Sequence, residues 1–256
     1  MPASVKLSQE FEGELVVLFV ESQNTPQPEA ERFVYERGWM AGNGLWTHER
    51  PCSSGSGTLP SCVLLGIDGK VLMKGNPGSI KSDLEDAIAD QIDLAKELPE
   101  GAPSSAKKAW KAFAERDYMD ALDGLAKIEA KGREDAAGAA QLRAQVEAKI
   151  DLELARIDRL LELGYPLDAL VLATELDGLL AEHPTFGPRA AAALAMFEAE
   201  DLQPELEAAQ AFDKIYAKVR EDGVDDSRKK LEKFAEKYAG SKAAERASHL
   251  ASIAKD

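Results

Sequence analysis

Two thiols carry the most obvious chemistry in this chain. Cys52 and Cys62 lie in "HERPCSSGSGTLPSC" with nine residues between them, and His48 stands four positions before the first. Joined as a disulfide, they would close a loop contributing about 2–3 kcal/mol in the chain-entropy model. As a redox pair they would need a thiolate, the form that attacks disulfides. As metal ligands with His48 they lack the C-x-x-C or H-x-x-x-H spacing of known sites, so no metal is expected. A structural disulfide, two unrelated thiols and a redox pair all stay open at this point. A second place is "SQNTPQPEAERF", residues 22–33, directly after the apolar run "ELVVLFVE". There a strand feeds a helix whose first N–H groups point outward. The residues at that junction are Asn24, Pro26 and Gln27, and a carboxamide cannot become a nucleophilic anion. His183 and His249 stand alone in helical sequence and read as surface or packing residues. "GSGTLP" lacks the Lys-Ser/Thr ending and following helix of a phosphate loop, so no nucleotide cofactor is expected.

The surrounding chain bounds the partners. Its 256 residues suit one large or two ordinary domains, and 45% hydrophobic composition supports a packed core. The net charge is −15, with about −8 before Ser104 and −7 after it. Such a surface repels phosphate backbones and anionic lipid, which argues against nucleic acid and membrane-surface binding. No apolar run reaches the ~18 residues of a membrane span, so no membrane insertion is expected. The start, "MPASVKLSQEF", has no signal-peptide core.

Two grammars divide the chain. Up to residue 98 short strand-like runs alternate with helices. "ELVVLFV" reads as a strand buried on both faces. "PEAERFVYERG" reads as a helix with Pro28 near its start and Gly38 at its end. "CVLLGI", "DGK" and "VLMKG" read as a β-hairpin. In "SDLEDAIADQIDLAKEL", Ser82 is the expected N-cap and Glu85 completes a capping box. "PEGAPSS", residues 99–105, reads as a linker. Residues 106–256 are helical in pattern, with helices expected near 105–116, 118–131, 135–163, 166–182, 187–200, 204–221, 225–239 and 241–254. Trp39, Trp46, Trp110 and Phe113 read as core or packing aromatics.

Two stretches of the first part carry a family resemblance. "EGELVVLFVESQNTPQPEAERF" and "GTLPSCVLLGIDGKVLMKGNPGSI" resemble the strand, redox turn, helix and closing hairpin of the thioredoxin-like family, in its thiol–disulfide oxidoreductase and redoxin branch. The resemblance spans residues 7 to 97 and implies a thioredoxin-like sheet with "LVVLFV", "CVLLGI" and "KVLMKG" as neighbours. Leu59–Pro60 matches the family's cis-proline step. "NTPQ" falls on its Cys-x-Pro-Cys, so Asn24 and Gln27 replace the two cysteines and Pro26 matches the internal proline. On that register the usual dithiol chemistry is absent, and Asn24 reads as an N-cap of the helix. The binding residues the resemblance implies are Asn24, Pro26, Leu59 and Pro60. The family's usual company implies an exported location.

The second part resembles tetratricopeptide helix pairs. In "AWKAFAERDYMDALDGLAKIEAK" the pattern falls on Trp110, Phe113, Asp117, Tyr118, Ala121 and Leu122. In "LLELGYPLDALVLATEL" it falls on Leu160, Leu163, Gly164, Tyr165, Ala169 and Leu170. The two Tyr turns are 47 residues apart, against ~34 in regular arrays. The fold class expected is therefore α/β plus all-α, a thioredoxin-like domain followed by a tetratricopeptide-like helical array. The function expected is a redox-inactive module that binds a protein or peptide through its helical part. The alternative is a thiol–disulfide oxidoreductase using Cys52 and Cys62 near Pro60.

Overall fold

The computed structural model describes residues 3–11, 13–39, 44–47, 49, 53, 59–132 and 134–255. The chain combines an α/β part with a larger helical part and forms two compact units. The first comprises Met1–Ala95, Lys218–Arg228 and Ser252–Asp256, and the second Lys96–Ala217 and Lys229–Ala251.

The first unit contains α1 (Ala3–Glu10), β1 (Val17–Val20), α2 (Gln27–Arg37), β2 (Gly44–Thr47), β3 (Cys62–Leu65), β4 (Val71–Gly75) and nearly all of α3 (Lys81–Lys96). β1 and β2 pair in parallel, with Val17 opposite Gly44 and Val20 opposite Thr47. β3 and β4 form the antiparallel hairpin expected from "DGK", where Gly69 takes φ +75 and Gly66 N–H donates to Lys70 O. Gln91 of α3 accepts from Ile67 N–H at 3.0 Å, tying that helix to the hairpin turn. The Leu59–Pro60 bond is cis.

Three local expectations are corrected. The strands form two separate two-stranded sheets, and among the described residues no ladder joins β1 to β3. "ELVVLFV" is consequently not buried on both faces: Leu18 is 46% exposed and Val20 36%. α3 begins at Lys81, so Ser82 lies inside the first turn, and Glu85 pairs with Lys81 at 3.4 Å instead of closing a capping box.

α2 ends as its sequence dictates, on Gly38 at φ +64 with its N–H on Tyr35 O. A Cβ at Gly38 would meet Arg220 Nε at 2.7 Å. That guanidinium therefore sits where the helix presents its negative end. Glu36 accepts from Val224 N–H at 2.9 Å, and Asp225 accepts from Lys255 N–H at 2.7 Å beside Arg32. Val5, Leu7, Ala30, Val34, Ile88, Val219, Val224 and Ile253 are buried.

In the second unit, a short 3-10 turn at Ser104–Ala106 leads into α4 (Lys107–Ala114), α5 (Tyr118–Glu129), α6 (Ala136–Glu162), α7 (Pro166–Leu180) and α8 (Phe186–Ala195). α9 (Gln203–Asp222), α10 (Val224–Lys237) and α11 (Lys242–Ser252) contribute residues to both units. These eight helices match the eight expected ones to within a few residues. Consecutive helices from α4 to α8 pack on one another, and α5 also meets α7 and α6 meets α8. Their joint core includes Leu122, Leu125, Leu142, Ile150, Ile157 and Leu176. Asp117 caps α5 by accepting from Asp120 N–H at 3.0 Å. Trp110 is buried and donates its indole N–H to Glu97 O at 2.8 Å, so its polar edge is satisfied. The stretch 99–105 falls inside the second unit: a Cβ at Gly138 would meet Pro103 Cδ at 2.7 Å, and Ser105 Oγ donates to Asp135 at 2.7 Å.

Candidate functional site

The turn between β1 and α2 is organised by Glu21, a residue the sequence reading passed over. Its carboxylate accepts from Gln23 N–H at 2.6 Å and Thr25 Oγ1 at 3.2 Å. Desolvation acts to raise its pKa. Hydrogen bonds from Gln23, Thr25 and Asn24 outweigh that and leave it below the usual glutamate value. The wrapped turn puts Asn24 at φ +57. Asn tolerates this left-handed conformation because its short polar side chain bonds locally. Asn24 is exposed and does not cap α2: the N-cap position is Pro26, with no side-chain cap bond.

The start of α2 offers little to an anion. Pro28 has no N–H, and Glu29 N–H donates to Pro26 O at 3.0 Å. The Gln27 carboxamide donates to Glu31 at 2.6 Å and so lies along the helix. Glu29, in the first turn, further neutralises the positive helix end.

Leu59 and Pro60 are both exposed, Leu59 at 56%. Among the described residues no hydrogen bond, ion pair or ring contact joins Asn24, Pro26 or Gln27 to Leu59 or Pro60. Cys62 opens β3 opposite Gly75 as a half-buried free thiol, and burial pushes its pKa up. A raised pKa is the reverse of what activates a redox cysteine. Cys52, His48 and the "GSGT" stretch lie outside the described residues. Among the described residues no group of three His, Cys, Asp or Glu is placed to hold a metal ion. Nor is any helix long and apolar enough to cross a membrane.

Among the polar groups of the helical unit, two clusters join elements distant in sequence through an arginine. Arg116, at φ +62 in the α4–α5 turn, pairs with Glu175 of α7 at 2.6 Å. Burial lowers its pKa, but Tyr118, Glu175 and Glu153 together raise it on balance. Glu153 is buried and held by Lys149 at 2.6 Å. At the second cluster the Arg246 guanidinium lies between the rings of Tyr165 and Phe212, 4.6 and 4.7 Å from their centroids. It also donates to Gly164 O at 3.4 Å. Both clusters tie helices distant in sequence, which is why spacing alone did not reveal them. Leu152 and Val171 stand 65% and 68% exposed on α6 and α7, with Leu163 and Tyr165 exposed at the turn between them. No family model matches this chain, and neither a curated protein nor a solved structure does.

Proposed function

We propose that this chain is a redox-inactive thioredoxin-like and tetratricopeptide-like protein that acts as a protein-binding or scaffold module. The observation that carries the redox-inactive part is the β1–α2 turn. It is closed by Glu21, turned at Asn24 and continued by Gln27 bonded to Glu31, with no sulfur among them. The thioredoxin-like reading is supported by the strand–turn–helix order, the parallel β1–β2 pair, the cis Leu59–Pro60 bond and the β3–β4 hairpin. The tetratricopeptide-like reading is supported by the successive pairing of α4 to α8 and by the neighbouring rings of Trp110, Phe113 and Tyr118. A binding role fits a succession of packed helix pairs, an architecture that presents an extended surface.

Thiol titration and a disulfide-reduction assay test the reading. Wild type should show no dithiol turnover. The double variant Asn24→Cys/Gln27→Cys should form a reducible disulfide. Wild-type disulfide reduction that disappears in Cys52→Ser or Cys62→Ser would establish the oxidoreductase alternative instead. Failure of the double variant to form any disulfide would count against the thioredoxin-like register.

A further inference from the structure

The end of α2 gathers two arginines that no carboxylate holds. Arg37 closes that helix, and one turn back, where an ion pair would need an acid, it has Phe33 and Val34. Its guanidinium lies over the Phe33 ring, 5.0 Å from the centroid. Arg220, near the end of α9, has Tyr216 and Ala217 one turn back. Its guanidinium reaches Gly38, where an added Cβ would meet Nε at 2.7 Å and Cζ at 2.8 Å. Gly38 thus serves twice, as the left-handed end of α2 and as the opening that admits Arg220. Both arginines are exposed, and among the described residues neither forms an ion pair or a side-chain hydrogen bond. Arg32, Arg116, Arg143 and Arg189, by contrast, each hold a carboxylate. In a chain with 46 acidic residues for 31 basic ones, an acidic partner would have been easy to supply. Beside the two arginines an aromatic group comes to the surface. Trp39 stacks on Phe19 with ring centroids 5.2 Å apart and meets Phe33 edge-on at 5.1 Å, and Phe33 is 45% exposed.

We propose that this end of α2 is a binding site for an acidic peptide segment in which a carboxylate stands next to an apolar side chain. The carboxylate accepts from the guanidinium N–H groups of Arg37 and Arg220, whose planar forks suit it. The apolar side chain lies against the exposed part of Phe33, beside Trp39. Arginine and large aromatic residues are also the types that carry most of the energy at protein interfaces. Charge decides the class of partner. A nucleic acid would bring a run of phosphates against a chain of net charge −15, and two cations neutralise few of them. A short acidic segment sets its charge on the two arginines alone. All these residues lie in the first unit. The site therefore adds a second surface to the binding role proposed for the helical unit and does not depend on it.

The probe is the blocked peptide acetyl-Asp-Asp-Phe-Asp-Asp-amide, titrated into the full chain and followed by nitrogen–proton NMR. The Trp39 indole N–H and the Nε–H groups of Arg37 and Arg220 should shift together, and added salt should weaken binding. Exchanging the peptide's Asp residues for Lys should abolish it. Arg37→Gln and Arg220→Gln remove no ion pair from the fold, and each should weaken binding by about tenfold. Shifts confined to other residues, equal binding of the Lys peptide, or unchanged affinity in both variants would overturn the proposal. So would an oligonucleotide of equal charge that binds the same residues more tightly, which would make this a nucleic-acid site. Shifts at these residues on concentrating the chain without peptide would overturn it too, by making a second copy the occupant. Should either variant not fold, the wild-type shifts and the Lys peptide decide.

Discussion

Two glycines on the α7–α8 hairpin should respond to alanine in opposite directions. At Gly187 an added Cβ would lie 2.7 Å from Ala181 O and 2.8 Å from Leu180 O, both backbone atoms at the end of α7. Neither can rotate away, so α8 must retreat by about 0.7 Å to reach ordinary contact. Overpacking of that kind costs about 1–3 kcal/mol. The retreat also stretches the bonds that His183 Nδ1 accepts from Thr185 N–H and Phe186 N–H, worth about 1 kcal/mol more. Gly178, near the end of α7, has nothing within 4 Å of its added Cβ. Gly178→Ala should therefore stabilise by about 0.5–1 kcal/mol through helix propensity alone. Urea unfolding followed by far-UV circular dichroism would read both as midpoint shifts at unchanged slope. In thermal melts the same difference should appear at about 2–4 °C per kcal/mol. If both variants move the midpoint the same way, the close approach of α8 to the end of α7 is wrong.

Asp117→Ala should cost about 1 kcal/mol by removing the acceptor of Asp120 N–H, and Asp117→Asn should recover most of it; urea midpoints would check both. Glu21 has its pKa lowered in the folded chain, so its support of the β1–α2 turn is complete above the ordinary glutamate value, about 4.3, and is lost as pH falls through its own lower value. The amide shifts of Gln23 and Thr25 should titrate in that acid range, and Glu21→Gln should abolish the titration.

The helices were legible because their punctuation is local. Gly38, Asp117, Gly164 and Gly223 each mark a break that needs no knowledge of the rest of the chain, and α2, α5, α7 and α10 start or stop beside them. The β3–β4 hairpin was legible for the same reason. The apolar content of β1 misled, because a run such as "LVVLFV" says that burial is favourable without saying what supplies it. In the structure β2 covers one edge of β1, and "GLWT" is too short to announce itself as a strand. Asn24 was misassigned because good N-cap residues and left-handed turn residues are drawn from the same short polar set. The docking of Val224 and Asp225 on α2 left no trace in periodicity. Its partners, Glu36 and Arg32, lie almost two hundred residues away.

That docking sets an order of events during synthesis. The first unit draws on Lys218–Arg228 and Ser252–Asp256 as well as on its opening 95 residues. At translation rates of ~5–20 residues per second, roughly 6–25 seconds pass between the appearance of Ala95 and that of Lys218. Throughout that interval the first unit waits without Val219, Val224 and Ile253, the buried residues those late segments supply, and α2 waits without the partners of Glu36 and Arg32. The helical segment from Lys96 to Ala217 has all that time to fold ahead of them. The piece made first is thus the piece completed last. A nascent chain stalled before residue 218 would lack the partners that Glu36 and Arg32 of α2 find in Val224 and Asp225.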